Sequence, residues 1–244
     1  MITAILSDIH ANEVAMEAVL ADAKRHHVEQ FLCLGDIVGY GPKPLECFNR
    51  MMELAKLTVM GNHEAFVGFA QFDLLGLRED VADGIVLARS AIDSERMEII
   101  RRFPITARVG DVCLVHSSLE DPSSFPYVHE AKDAKAHFSN QPTRLAFIGH
   151  SHVPEAWYTG GEKPIRLAIR NYTLQLDDSG KYLVNVGSVG QPRDGDRRAS
   201  YVLFDDAADT VRWRRINYDI NATITAMAAL GMPKFSSSRL LAGI

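Results

Sequence analysis

Along the first sixty residues, short apolar runs that stop at a glycine or turn signal alternate with stretches whose apolar positions recur at helical spacing. Residues 2–6 read as a strand, and residues 12–24 as a helix with Val14, Ala18, Val19 and Leu20 in its apolar set. Residues 31–34 form a second strand that stops at Gly35-Asp36. Pro44 suits the first turn of a helix, which Leu45, Phe48, Met51, Met52 and Leu54 continue. Residues 56–60 are the third strand. Alternation of this kind implies a parallel sheet covered on its faces. From His63 to Arg102 the pattern is helical and carries no strand: Phe66, Phe69 and Phe72 are followed by Val81, Ile85, Leu87, Ala88 and Ile92, then by Met97, Ile99 and Ile100. Core packing accounts for such stripes. The same block, residues 63–103, is also a candidate cap that shapes a substrate pocket.

The remaining pattern is strand-rich. Residues 105–109 and 112–115 flank Gly110-Asp111, a two-residue hairpin signal. Residues 130–138 read as a short helix and 145–148 as a buried strand. Strands follow at 155–158, 165–169, 172–176, 182–186, 201–204 and 211–216, with a last helix over 218–230. The apolar tail from Leu240 to Ile244 is expected to dock on the body or on a partner. No linker, repeat or low-complexity segment divides the sequence, so residues 1–244 are expected to form one domain.

Composition narrows the function class. The 244 residues are 47% hydrophobic and 23% charged, ordinary for a globular chain. A net charge of -5 argues against a nucleic-acid coat, and no stable nucleic-acid partner is expected. Arg197, Arg198, Arg212, Arg214 and Arg215 lack an accompanying aromatic series, and alternation sends Arg212 and Arg214 one way and Arg215 the other, which suits a solvated edge strand. The first residues lack a basic flank, and no stretch is long enough to span a bilayer. A soluble, cytoplasmic protein is expected. Cys33, Cys47 and Cys113 form no C-x-x-C pair, so they read as packing residues and not as disulfides or a thiolate zinc site.

The chemistry gathers at strand ends. Asp8-x-His10 follows the first strand, Gly35-Asp36 the second, and Gly61-Asn62-His63-Glu64 the third; His116 and Gly149-His150-Ser151-His152 close two later ones. Extended alternation would aim Asp8 and His10 one way, and likewise His150 and His152. Singly, Asp8 could be a helix cap, Asn62 a turn residue, and His116 or His150 a hydrogen-bonded core histidine. Five coincidences at strand ends favour a metal site. His26, His27, His129 and His137 read as surface residues. The oxygen and nitrogen donor set suits Mn²⁺, Fe, Zn²⁺ or Ni²⁺ better than Ca²⁺, and seven ligands fit two ions sharing a carboxylate better than one tetrahedral ion.

In order and spacing these motifs resemble the calcineurin-like metallophosphoesterases, in particular the smaller bacterial phosphodiesterase members. The resemblance implies a four-layer α/β/β/α sandwich of two facing mixed sheets. It also implies that Asp8, His10 and His152 hold one divalent ion, that Asn62, His116 and His150 hold a second, and that Asp36 bridges them, with Mn²⁺ the first expectation. His63, kept protonated by a nearby carboxylate, would be the acid, and Glu64 would orient its imidazole. The implied reaction is hydrolysis of a small phosphodiester or nucleotide phosphate by a hydroxide bridging the two ions. The protein phosphatase branch has an arginine after its Gly-Asp motif, whereas this chain reads Gly35-Asp36-Ile37-Val38-Gly39-Tyr40-Gly41, which disfavours phosphoprotein substrates. Arg193, after a glycine turn resembling one that these members place near the metals, is the candidate phosphate ligand. The bland reading of Arg193 is a solvated residue beside Asp194 and Asp196. Competing readings are a nuclease, a phosphomonoesterase, and a scaffold with little turnover. A homo-oligomer stays open.

Overall fold

The structure is a computed structural model that describes residues 1–69, 71–72, 74–169 and 171–244. The first half runs β1 (Ile2–Leu6), α1 (Glu13–Arg25), β2 (Gln30–Cys33), α2 (Pro44–Leu54) and β3 (Ala55–Thr58), then helices α3 (Asn62–Gly68), α4 (Glu79–Ala91) and α5 (Ser94–Arg101). The hairpin β4 (Thr106–Val109) and β5 (Val112–Val115) leads to α6 (Ala131–Asn140), β6 (Leu145–Ile148), β7 (Glu155–Thr159) and β8 (Ile165–Arg166). Strands β9 (Thr173–Gln175), β10 (Lys181–Asn185), β11 (Ala199–Asp205) and β12 (Thr210–Ile216) precede helices α7 (Ile220–Ala229) and α8 (Lys234–Ala242).

The strands form two mixed sheets, ordered β3-β2-β1-β11-β12-β9 and β4-β5-β6-β10-β7-β8. Side-chain alternation sorts their residues into three apolar layers. Ile5, Leu32, Val202, Phe204 and Trp213 of the first sheet meet Leu114, Leu145, Phe147 and Val184 of the second in the central layer. The opposite face of the first sheet, with Ala4, Leu6, Tyr201 and Leu203, packs on Met16 and Val19 of α1, Phe48 of α2 and Ile85 of α4. Val115, Ala146, Ile148 and Leu183 of the second sheet pack on Ala134 and Phe138 of α6. The result is the four-layer α/β/β/α sandwich that the motifs imply.

Parallel pairing places the exits of β1, β2 and β3 along one edge, and those of β5, β6 and β10 along the facing edge. Main-chain bonds continue beyond the strands. Asp8 N donates to the Gly35 carbonyl (3.1 Å) and His10 N to that of Asp36 (2.9 Å). After β10 the chain crosses to the other sheet: Val189 N donates to Ser7 O (3.0 Å), Gly190 N to Asp8 O (2.9 Å), and Ser188 Oγ to Asp8 O (2.8 Å). The two sheets are therefore stitched together where the candidate site residues emerge.

The sequence expectations for the outer elements have mixed outcomes. The apolar tail is the end of α8, docked on the body: Leu240 is buried, and the Gly243 carbonyl accepts a bond from Gly195 N (2.9 Å). The run of serines at 236–238 dilutes its apolar pattern. β12 is not an edge strand, since β9 pairs with Thr210 to Arg212; Arg214 bonds Asp22 of α1 (2.9 and 3.0 Å) and Arg215 binds Asp194. His137 is wholly buried, not at the surface: it packs under the second sheet, accepts from Leu119 N (3.2 Å), and is pushed down to about 3 by burial. The three cysteines are buried and free. Among the described residues no helix is long and apolar enough to cross a membrane.

Phe147 fills the layer between the sheets, edge-on to Phe204 at 5.8 Å. Phe147→Ala is expected to cost about 3–5 kcal/mol in a urea unfolding titration, the range for an aromatic lost from a closed core.

Candidate metal centre

Asp8, His10, Asp36, His150 and His152 all follow strand ends, and all five have left-handed backbones, with φ of 53, 48, 52, 65 and 62°. Extended alternation therefore does not aim these side chains, contrary to the reading from sequence. Tight left-handed turns do, each costing about 1–3 kcal/mol that the surrounding main-chain bonds must offset. The motif glycines supply room. A Cβ on Gly61 would lie 2.2 Å from Asp36 Oδ1, and one on Gly149 would lie 2.4 Å from Asp8 Oδ2.

Main-chain acceptors set the imidazole tautomers. His10, His116 and His152 each donate from Nδ1 to a carbonyl, those of Val38 (3.1 Å), Leu34 (2.7 Å) and Gln191 (2.6 Å). Their Nε2 lone pairs consequently face inward. His10 Nε2 lies 3.1 Å from His152 Nε2, and His116 Nε2 lies 3.2 Å from both His150 Nδ1 and Asn62 Oδ1. Asp8 Oδ1, buried and without a hydrogen-bond donor, is 3.1 Å from His152 Nε2 and 3.7 Å from His10 Nε2. Asp36 Oδ2 lies between the two sides, 3.7 Å from His10 Nε2 and 3.4 Å from His116 Nε2. Two donor groups result, Asp8–His10–His152 and Asp36–His116–His150, each compact enough for one cation. The Nε2 lone pairs of His10 and His152, facing one another at 3.1 Å beside the orphaned Asp8 oxygen, fit a divalent ion, and the Asp36–His116–His150 group offers a second such donor set.

The charges agree with that fit. Burial opposes ionisation of Asp36 and Asp8, yet His116 and His63 around the first, and His152 around the second, hold both carboxyls far below the usual range. Burial, with neighbouring positive charge, pushes His10, His150 and His152 down. His116 goes the other way. Burial disfavours its charge, but Asp36 and Asp8 outweigh it and raise the imidazole to about 9.

His63 and Glu64 behave differently from expectation. Burial outweighs the pull of Asp36 and brings His63 down to about 4, so the ring is neutral near pH 7 and is not kept protonated by a carboxylate. Its Nε2 is 4.0 Å from Asp36 Oδ2, and with His10 and Asp36 it forms a third compact donor group. The Glu64 carboxylate does not reach that ring. It accepts from Asp36 N (2.6 Å), Ile37 N (2.8 Å), Val38 N (3.3 Å) and Gly61 N (3.1 Å), tying the β2 exit to the β3 exit.

Arg193 lies at the mouth of this centre. Its N–H groups donate to Tyr40 Oη (3.3 Å) and Gln191 Oε1 (2.8 Å), while Asp194 and Asp196 are taken by Arg215 and Arg198. Two aromatics escaped the sequence reading. Tyr40 stands edge-on to His10 (4.7 Å) and tilted over His63 (4.8 Å), and its place between Gly39 and Gly41 was the available signal. Tyr127 stacks on His150 at 4.1 Å from a loop that carries no pattern. A separate cavity of about 270 Å³ opens at the far end of the sheets beside Ile5, Leu32, Leu145 and Phe204, and holds none of the ligand set.

Residues 1–209 match the family model described as the calcineurin-like phosphoesterase superfamily domain. A metallophosphoesterase structure from Sphaerobacter thermophilus superposes with a TM-score of 0.87 at 37% identity, covering 100% of this chain and 99% of that one. The uncharacterized protein MJ0912 of Methanocaldococcus jannaschii is 32% identical over 246 residues, 98% of this chain and 97% of its own. Phosphodiesterase YfcE of Escherichia coli is 27% identical over 161 residues, 63% of this chain and 71% of its own.

Two measurements check this centre. Because a bound cation must displace the His116 proton, metal affinity is expected to rise by up to about tenfold per pH unit towards pH 9. The raised imidazole stabilises the metal-free fold most below about pH 6.5, its unfolded value, and that contribution fades as pH rises through about 9. The Mn²⁺-induced gain in Tm should thus be larger at about pH 8.5 than at about pH 6; a larger gain at the lower pH would contradict the assignment. Glu64→Ala strands buried N–H groups and should cost at least about 3 kcal/mol by urea titration, with a parallel fall in metal content.

Proposed function

The chain belongs to the calcineurin-like phosphoesterase superfamily, and on that footing we propose that it hydrolyses small phosphodiesters or nucleotide phosphates with the aid of two divalent ions. The observation that carries this reading is the position of Asp36 Oδ2, within 3.7 Å of an inward lone pair from each of the two donor groups. Asp8, His10 and His152 would hold one ion, Asn62, His116 and His150 the other, and Asp36 would serve both. Mn²⁺ is the first candidate for such a mixed oxygen and imidazole set. When bound, the ions supply Lewis acidity, lowering the pKa of water and offsetting phosphoryl charge.

The protein's own groups do the rest. His63, neutral and buried, offers a ring N–H to the oxygen that leaves phosphorus, with the Tyr40 ring tilted against it at 4.8 Å. Arg193 has its bulk against Tyr40 and a buried Nε without a partner, which suits a phosphoryl oxygen. Helices α3 and α4 wall the crevice on this side, with α5 packed behind α3: Phe66 is 6.2 Å from His63, and Gly84 of α4 approaches the Tyr40 main chain so closely that a Cβ would lie 2.2 Å from its nitrogen. That block is the cap in this reading.

His63→Gln should lower kcat on bis(p-nitrophenyl) phosphate by about 10²–10³-fold, the usual worth of one hydrogen-bond donor to developing negative charge, with metal content per chain unchanged by elemental analysis. Metal lost in step with activity would make His63 a ligand. Turnover of p-nitrophenyl phosphate alone would redirect the assignment to monoesters, and a metallated but inert protein would favour a scaffold.

A further inference from the structure

The four imidazoles of the two donor groups are not held alike. His10, His116 and His152 each fix their ring by a bond from Nδ1 to a main-chain carbonyl. His150 instead turns its Nδ1 inward, 3.2 Å from His116 Nε2, and among the described residues its Nε2 has no hydrogen-bond partner. An imidazole that binds a metal almost always has its other nitrogen bonded, and that bond sets the orientation of the ring. His150 lacks it and needs another restraint.

An aromatic face supplies one. The Tyr127 ring stacks on that of His150 at 4.1 Å, with 20° between their planes, and on that of His129 at 4.9 Å. Its mount is firm: the next residue, Val128, is buried with Ala134 and Phe138 of α6, and Asp133 of α6 accepts from His129 N and Glu130 N, both at 3.0 Å. The start of the same loop is tied to α6 by the bond from Leu119 N to His137 Nδ1 (3.2 Å). Phe125 has a left-handed backbone, with φ of 52°, which a bulky residue rarely adopts, and meets the His116 ring edge-on at 6.0 Å. Tyr127 is 46% exposed, so filling the core does not account for its position.

We propose that Tyr127 is a positioning residue for one of the two ions. Its ring does for His150 what a carbonyl does for the other three imidazoles, and the Asp36–His116–His150 group binds its ion tightly only with that ring in place. The Asp8–His10–His152 group, whose two imidazoles both rest on carbonyls, does not depend on it. This rests on the two-ion reading above and adds what keeps one half of the centre in shape.

The test is a calorimetric titration of metal-free protein with Mn²⁺. The unaltered protein should take up two ions per chain. Tyr127→Ala should bind one of them as before and the other about 10- to 100-fold more weakly, the usual cost of losing a partner that orients a metal-binding imidazole. Tyr127→Phe, which keeps the ring and loses the hydroxyl, should match the unaltered protein. Two further backgrounds locate the affected ion. Added to His150→Ala, Tyr127→Ala should leave the remaining ion's affinity unchanged; added to His152→Ala, it should keep its full effect. Equal weakening of both ions, or an undiminished loss beside His150→Ala, would mean that Tyr127 merely supports its loop, and overturns the proposal. Weakening by Tyr127→Phe does so too, because the hydroxyl and not the ring would then hold His150. Two ions bound by Tyr127→Ala as tightly as by the unaltered protein sinks this inference alone, whereas fewer than two on the unaltered protein overturns the two-ion reading and the inference with it.

Discussion

The carboxylate of Glu64, which faces no metal position, holds the centre in shape. It gathers the N–H groups of Asp36, Ile37, Val38 and Gly61, and so locks the exit of one strand to the exit of the next. Burial and the Asp36 charge raise this carboxyl to about 7, which measures how much the interior resists a second anion there. Four converging main-chain dipoles make the position tenable, much as a nest of N–H groups holds a bound anion. With that clamp in place, the Asp36 side chain has one direction available: its Oδ1 accepts from His63 N (2.9 Å), leaving Oδ2 to the imidazoles.

The same economy of position explains what could be read from sequence. Strands with a buried run that stops at glycine were legible because the glycine is required by volume, as Gly61 against Asp36 and Gly149 against Asp8 show. The residue types of the candidate site were legible because few other roles place carboxylate and imidazole at so many strand ends. Their aim was not. Left-handed turns at Asp8, His10, Asp36, His150 and His152 defy local preference and exist only because the sheets, once formed, supply bonding partners for the exits. Glu64 follows the same logic. The family resemblance implied that it orients the His63 ring, whereas tertiary packing turns it towards a loop 26 to 28 residues upstream.

Elements far from the motifs were harder. Helix α8 has only Leu240 and Arg239, with Ser236, as its buried face, too weak a stripe to announce a helix. Arg239 therefore drew no reading from sequence, and its partner Asp80 lies 159 residues away. His137 misled for a related reason: a histidine on an amphipathic helix usually faces water, and only the second sheet's outer layer decides otherwise. Arg193 was placed in the site by its neighbours' choices, since Arg215 and Arg198 remove the two aspartates that could have drawn it into solvent.

Tyr40 joins these levels of description. Its backbone is left-handed between two glycines, its ring packs on His10 and His63, and its other contacts are the guanidiniums of Arg193 and Arg239. One ring thus stands between the buried carboxylates and imidazoles of the centre and two guanidiniums that the surrounding chain has already paired. Cations on the first side would relieve a cost that the fold otherwise carries alone, because low local dielectric makes uncompensated charge expensive. The stability sacrificed in building the crevice then becomes binding energy available to them.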